Sequence, residues 1–174
     1  MHNTITLVKI NDVRLPSTGT LELALEPYGD RFSVIDSPLV LKKDVFNEAR
    51  RQFDAQKILF ALHEFSQQSK LQKVLGITDE DIFIDGMNFV FGLASPTGEV
   101  CVISPYRLVG SQNSMLNQIE KARLVKEIAH EIGHVYGLEH CDRNCVMAFS
   151  NSVWEVDAKG YSLCEKCTNI LNSK

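Results

Sequence analysis

Residues 130–140 of the chain read HEIGHVYGLEH, a stretch that holds three histidines and an internal glutamate at fixed spacing. His130 and His134 are four residues apart, so on a helix both imidazoles leave the same face one turn apart. Glu131 would lie beside them at the edge of that face. The spacing predicts a helix that ends in a pair of metal ligands.

A third ligand would follow after the end of this helix. Gly137 can adopt the left-handed conformation that ends a helix, and the chain can then return to present His140 to the same metal ion. Three protein ligands and one position for water are typical of a catalytic zinc site. We therefore predict that His130, His134 and His140 bind one catalytic zinc ion.

Glu131 is the candidate catalytic residue. Zinc lowers the pKa of a bound water to about 7 and polarises a substrate carbonyl. A carboxylate next to a zinc ligand can accept the proton of that water and later deliver it to the departing amine. The motif thus predicts peptide hydrolysis by a zinc-bound water that Glu131 activates. The alternative is that Glu131 is only a solvated carboxylate on the helix.

Four cysteines form a second group. Cys141 directly follows the third histidine, and Cys145, Cys164 and Cys167 complete two closely spaced pairs. Four thiolates close a tetrahedral zinc site with no position for water, and such sites are structural. Two disulfides and unconnected thiols are the alternatives, but the amino terminus has no basic and apolar run that would suggest export. We expect a second, structural zinc.

The remaining histidines and the fifth cysteine have simpler interpretations. Cys101 lies in an apolar run and is expected to be a buried thiol. His63 lies in a predicted helix, and His2 lies near the amino terminus. Both histidines are expected to have surface or packing roles.

The run from Lys126 to Cys167 resembles the archaemetzincins, a branch of the metzincin zinc metallopeptidases. The long histidine motif, Cys141 directly after it and Met147 carry the resemblance. Residues 88–92 and 123–127 are also similar, though less specifically. The gap from Cys141 to Cys145 and the gap from Met147 to the next cysteine are each one residue shorter than in the family pattern.

The resemblance implies a role for Met147 and a fold. Met147 would be the methionine of a Met-turn that packs beneath the histidines without coordinating zinc. Phe149 stands where some metzincins carry a tyrosine that approaches the metal, and a phenyl ring cannot ligate. The implied fold is α/β (α+β), with a twisted mixed sheet, an antiparallel edge strand beside the cleft, two long helices and a small zinc-stapled C-terminal subdomain.

Composition bounds the remaining questions. The 174 residues, 44% of them hydrophobic, suit a single metallopeptidase domain, 1–174, with an N-terminal subdomain 1–137 and a C-terminal subdomain 138–174. The net charge of −4 gives no reason to expect nucleic-acid binding. No apolar run reaches the length of a membrane span. We expect a cytoplasmic, monomeric protein whose partner is a peptide or an unfolded protein.

Hydrophobic periodicity gives a coarse set of elements. Helices are predicted over about 44–68 and about 117–136, the second with an apolar band that includes Ile119 and Ile132. The segment 110–114 is predicted to be a loop, and 100–103 is a candidate edge strand. Strands are predicted at 4–10, 31–35, 81–85, 89–91 and 100–103.

Two functions from different classes fit these observations. The first is the zinc peptidase, acting either on amino termini or at internal bonds. The second is a non-catalytic peptide-binding or interaction module whose metals only maintain its shape. An intact Glu131 favours the peptidase.

Overall fold

The computed structural model describes residues 4–110 and 116–173. The predictions for His2 and for residues 111–114 of the polar loop fall outside these ranges. Apart from two 3₁₀ turns, the elements in chain order are β1 (Thr4–Ile10), α1 (Thr18–Leu25), β2 (Arg31–Leu39), β3 (Phe46–Asn47), β4 (Gln52–Asp54), α2 (Ala55–Gln68), β5 (Val74–Ile77), β6 (Ile82–Phe83), β7 (Gly92–Ala94), β8 (Val100–Ile103), α3 (Gln118–Val135), α4 (Val153–Ala158) and α5 (Glu165–Asn172).

A five-stranded sheet in the order β2-β1-β5-β8-β7 lies at the centre of the molecule. β2, β1, β5 and β8 run parallel to one another, and β7 pairs antiparallel with β8. A smaller sheet has the order β3-β4-β6. The predicted mixed sheet with an antiparallel edge strand is confirmed.

The position of that edge strand was predicted wrongly. Residues 100–103 form β8, which lies between β5 and β7 and is not an edge. Residues 89–91 are not a strand, because β7 begins only at Gly92. The aromatic residues that suggested a strand there pack against each other instead, with the rings of Phe89 and Phe91 5.3 Å apart.

Helices cover both faces of the sheet, as buried parallel strands require. Ile5 and Leu7 of β1 pack in the cluster that contains residues of α1 and α3. Val8 and Ile10 belong to the clusters on the opposite face, which contain Ile58 or Leu62 of α2. The alternation along β1 thus divides the core into two layers.

The predicted helix over about 44–68 begins eleven residues later than expected, at Ala55. Asp54 caps it, because its side chain accepts hydrogen bonds from the backbone N–H groups of Gln56 and Lys57. The preceding residues form a short hairpin, in which the rings of Phe46 and Phe53 lie 4.9 Å apart. The helical spacing predicted from Ile58 onward is confirmed.

α3 carries the histidine motif and matches its prediction closely. Asn117 and Glu120 form a capping box at its start. Most of the predicted apolar band is buried against the sheet, but Ile119 is 59% exposed and does not belong to it. The helix is therefore a well-anchored support for the candidate site.

The sequence did not predict α1, β5, α4 or α5. β5 is a four-residue buried strand and α4 has six residues, so neither shows a clear period. Among the residues that the structure describes, every helix is too short or too polar to cross a bilayer.

Candidate metal centres and active site

The turn after α3 presents the third histidine. Gly137 has φ of 72°, in the left-handed region that favours glycine. Its backbone N–H donates to the carbonyl of His134 at 2.8 Å, and the N–H of Leu138 donates to the carbonyl of Gly133 at 2.9 Å. The predicted glycine stop is confirmed, and it directs the chain back so that His140 reaches the other two histidines.

Backbone carbonyls orient two of the three imidazoles. Nδ1 of His130 lies 2.9 Å from the carbonyl oxygen of Val146, and Nδ1 of His134 lies 2.7 Å from that of Leu138. Because a carbonyl can only accept, each Nδ1 carries the ring proton and each Nε2 keeps its lone pair. One nitrogen of each of the two rings and one of His140 lie within 4.8 Å of one another.

This arrangement fits a zinc ion. Nε2 of His130 and Nε2 of His134 are 3.1 Å apart, so two lone pairs face each other at close range. Tetrahedral zinc with Zn–N bonds of about 2.0–2.1 Å would hold two ligand nitrogens about 3.3 Å apart. Burial lowers the pKa of all three imidazoles, which favours the neutral, ligating form. A cation between the rings would relieve the lone-pair repulsion.

Glu131 lies beside the imidazoles and is only 5% exposed. Burial raises its pKa well above the usual range, the charge of Glu127 adds to this, and the ammonium of Lys159 acts in the opposite direction. Its carboxyl packs on β7, since a Cβ added at Gly92 would lie 2.6 Å from Cγ and Oε1 of Glu131. A basic carboxylate is thereby held between α3 and the edge strand.

Met147 lies beneath α3 and is fully buried. A Cβ added at Gly133 would lie 2.2 Å from the sulfur of Met147 and 2.8 Å from the hydroxyl of Tyr28. Tyr28 is anchored there, because it donates to the carbonyl of Ala129 at 2.6 Å. Gly133 therefore allows the methionine to approach the helix closely.

The four cysteines of the second group also come together. One sulfur from each lies within 4.8 Å of the others, and Sγ of Cys141 is 3.7 Å from Sγ of Cys164. A tetrahedral zinc site with Zn–S bonds of about 2.3 Å has sulfurs about 3.8 Å apart, whereas a disulfide needs about 2.05 Å. All four are free cysteines. Their arrangement fits a closed metal site better than two disulfides.

The chemistry of Cys164 also suits a metal ligand. It is the N-cap of α5, and the backbone N–H of Cys167 is the main cause that lowers its pKa to about 7. A helix N-terminus favours a thiolate in this way. Thiolates are the form of cysteine that binds metal.

Main-chain bonds join the two groups. Val146 lies between Cys145 and Met147, and its carbonyl is the one that faces His130. Its N–H donates to the carbonyl of Ser162 at 3.0 Å, and the N–H of Cys141 donates to the carbonyl of Met147 at 2.9 Å. The loop that holds the cysteines therefore also orients a histidine.

Three functionally placed residues were missed by the sequence analysis. Lys159 and Glu127 form a buried ion pair beside His130, with Nζ and Oε1 2.6 Å apart. Glu127 precedes Glu131 by four residues, so helical spacing could have indicated that it shares the face of the site. A single lysine in a polar stretch gave no such signal, and Gly92 lies in the similar segment 88–92 but no role was predicted for it.

The residues expected to lie outside the metal groups do so. Cys101 is fully buried in β8, as predicted. His63 lies 3.1 Å from a carboxylate oxygen of Glu99 and is half-buried. Neither belongs to the two clusters found among the described residues.

A cleft of about 480 Å³ opens over the histidines. One wall is formed by residues of β7 and the segment before it, including Phe89 and Leu93. The other contains Phe149, whose ring lies 5.1 Å from that of His140. The antiparallel edge strand predicted to border the cleft is therefore present, as β7.

Known proteins resemble this chain in both sequence and structure. The profile of peptidase family M54 matches residues 37–173. An archaemetzincin of Archaeoglobus fulgidus is 44% identical over 126 residues, which cover 72% of each chain. The crystal structure of the archaemetzincin from Methanopyrus kandleri has a TM-score of 0.83 and 34% identity, covering 99% of this chain and 94% of that one. The crystal structure of a zinc-dependent peptidase from Methanocorpusculum labreanum has a TM-score of 0.83 and 31% identity, covering 97% of this chain and 100% of that one.

Fold and matches together define the class as that of the zinc metallopeptidases. The chain belongs to peptidase family M54, the archaemetzincins. The resemblance noted from the sequence is thereby confirmed.

Proposed function

We propose that the protein hydrolyses peptide bonds with a zinc ion held by His130, His134 and His140 and with Glu131 as general base. The observation that carries the proposal is the pair of Nε2 lone pairs 3.1 Å apart, both oriented by backbone carbonyls. When bound, zinc supplies a Lewis acid that polarises the scissile carbonyl and acidifies water. Glu131 takes up the proton of that water and returns it to the leaving amine.

The peptide substrate lies along β7. This strand is the edge of the sheet next to the cleft, and an extended peptide can add to such an edge through main-chain hydrogen bonds. Gly92 offers a backbone without a side chain at the point where Glu131 packs. A peptide on β7 would thus run past the general base.

A second zinc, held by Cys141, Cys145, Cys164 and Cys167, has a structural role. Four thiolates leave no position for water, so this ion takes no part in the reaction. It holds the chain around Val146, whose carbonyl orients His130. Met147 packs under the helix and does not ligate.

The decisive experiment compares the parent protein with Glu131→Gln, which has nearly the same shape but cannot act as a base. We expect both to contain two zinc ions per chain by elemental analysis. Cleavage of a peptide library should fall by about 10²–10⁴-fold in the variant, the usual contribution of general acid–base catalysis. Glu64→Gln, at an exposed position of α2, is the matched control and should cleave like the parent.

The non-catalytic module makes the opposite prediction. In that case none of the three proteins, the parent, Glu131→Gln and Glu64→Gln, would cleave the peptide library, although each would contain both zinc ions. The products from the parent also decide the mode of cleavage, since single amino acids indicate an aminopeptidase and internal fragments an endopeptidase.

A further inference from the structure

Lys159 and Glu127 form an ion pair in the interior of the protein. Their side chains are 2% and 4% exposed, and Nζ lies 2.6 Å from Oε1. Taking two charges out of water is costly, and a well-packed apolar pair of similar size often gives equal or greater stability. The fold alone therefore gives no reason for charges at these two positions.

The surroundings of Lys159 suggest a reason. Its Nζ lies 3.3 Å from the carbonyl oxygen of Ala148 and 3.4 Å from Nδ1 of His130. Glu127 precedes His130 by one helical turn, and Ala148 directly follows Met147. One ammonium thus contacts the catalytic helix, the Met-turn and an imidazole.

The hydrogen-bond roles around this ammonium are determined by its neighbours. Because Nδ1 of His130 uses its proton for the carbonyl of Val146, it cannot accept from Lys159. Lys159 forms an ion pair with Glu127 and donates to the carbonyl of Ala148, and its charge lies at the edge of the imidazole ring. It is the C-cap residue of α4, so its position depends on that short helix.

We propose that the Lys159–Glu127 pair is a positioning device that fixes the Met-turn against α3 and so sets the orientation of His130 as a metal ligand. Neither residue is assigned a role in the chemical step. Partners of metal ligands, outside the coordination sphere, contribute about 10–100-fold to metal affinity when they orient the ligand. This inference rests on the proposed histidine metal site.

The test must separate positioning from plain stability. Lys159→Met and Glu127→Leu each leave one buried charge without its partner, so both should unfold at a lower temperature than the parent. The double variant removes both charges and nearly keeps the volume, and its unfolding temperature should recover. Arg123→Met is the matched control, because Arg123 also joins α3 to α4 through Asp157 but does not contact His130.

The main readout is the affinity of the histidine site for metal, measured on the holoprotein by chelator competition. Replacing zinc with cobalt also gives each site its own absorption spectrum. The two spectra can be told apart because only the cysteine site gives thiolate charge-transfer bands. We expect the double variant to bind metal at the histidines at least about tenfold more weakly than the parent, with a changed cobalt spectrum there and unchanged thiolate bands. Arg123→Met should keep the parent affinity.

Two results would overturn the proposal. The first is a double variant whose histidine-site affinity is within about twofold of the parent. The second concerns a double variant that remains less stable than the parent. If Arg123→Met lowers the unfolding temperature by the same amount and also weakens metal binding at the histidines equally, the loss of affinity reflects stability and not positioning. A parent protein that binds no metal at the histidines would instead refute the proposed function itself.

Discussion

At the scale of single residues, Gly92 leaves the space that the carboxyl group of Glu131, the proposed general base, occupies. The Cγ, Cδ and Oε1 atoms of Glu131 occupy the space where a β-carbon of residue 92 would be, at 2.6–2.7 Å. A side chain at this position of the edge strand would therefore compete with the carboxyl group of Glu131 for the same volume. We therefore expect the proposed catalysis to require the absence of a side chain at this position.

Gly92→Ala should slow catalysis without removing the metal. The methyl group must displace Glu131, and a misplacement of about 1 Å can cost about 10²-fold in rate. Zinc content should stay at the parent value, because the three atoms nearest to the added carbon all belong to Glu131 and not to a histidine. Steady-state kinetics with elemental analysis checks this, and Gly19→Ala is the control, since nothing lies within 4 Å of its added carbon. An unchanged kcat would show that Glu131 tolerates the methyl group.

The sequence could predict most of the candidate site at this scale. The histidines and the cysteines are recognisable because metal ligation imposes a residue type and a spacing, and Glu131 is recognisable by its place within the histidine motif. Gly92 and Lys159 are not recognisable, since their roles depend on β7 and α4 coming next to α3. Such contacts are tertiary and leave no local pattern.

At the scale of elements, the start of α3 depends on a carboxylate. Glu120 accepts hydrogen bonds from the backbone N–H groups of Gly110 at 2.7 Å and of Asn117 at 2.9 Å. These two bonds hold the pKa of Glu120 below its usual range, the bond from Gly110 having the larger effect. The first turn of the catalytic helix is therefore linked to a titrating group.

Glu120→Gln should reduce stability most near neutral pH. Since the folded pKa is below the unfolded value of about 4.3, the ionised carboxylate stabilises the protein above that pH. This contribution disappears as the pH falls through the folded pKa. Urea unfolding of parent and variant between about pH 6.5 and 3.5 should show the difference shrinking. A difference that stays constant with pH would mean that the bonds do not depend on ionisation.

Elements were predicted well where the periodic segment of sequence was long and poorly where it was short. α3 was predicted to within a residue because its polar cap and apolar face both signal a helix. α2 was extended wrongly, because the apolar spacing does not show that Asp54 caps the helix. β7 was displaced, because Phe89 and Phe91 have strong strand preference but pack as a pair of rings.

At the scale of the whole molecule, the C-terminal segment and the histidine site are expected to be coupled. Cys145 and Met147 flank Val146, whose carbonyl orients His130. Loss of a metal bound by the cysteines would loosen this segment, whose buried apolar residues besides the cysteines are Leu138, Val146, Met147 and Val156. A change in the cysteines should therefore affect a zinc ion that they do not bind.

Cys145→Ala tests this coupling. We expect it to lose the structural zinc, to unfold at a lower temperature and to hold its remaining zinc at least about tenfold more weakly, as with other lost supports of metal ligands. Zinc analysis before and after mild chelation measures both effects. Cys101→Ala is the control, since this buried thiol lies outside the cluster, and it should keep two zinc ions. Full retention of the histidine-site zinc in Cys145→Ala would rule out the coupling.

The position of Val146 between the two metal groups also implies an order of assembly. His130 is oriented by a carbonyl of the segment that carries Cys145. If the proposed cysteine-bound zinc orders that segment, the first equivalent of zinc should enter the cysteine site during refolding. Structural zinc sites gain much of their affinity from folding itself. When zinc-free protein is refolded with increasing zinc, activity should stay near zero up to about one equivalent and rise between one and two. A linear rise from the start would show that the sites fill independently. At scarce zinc, the protein would accumulate as a folded, half-loaded and inactive reserve that a second ion can switch on.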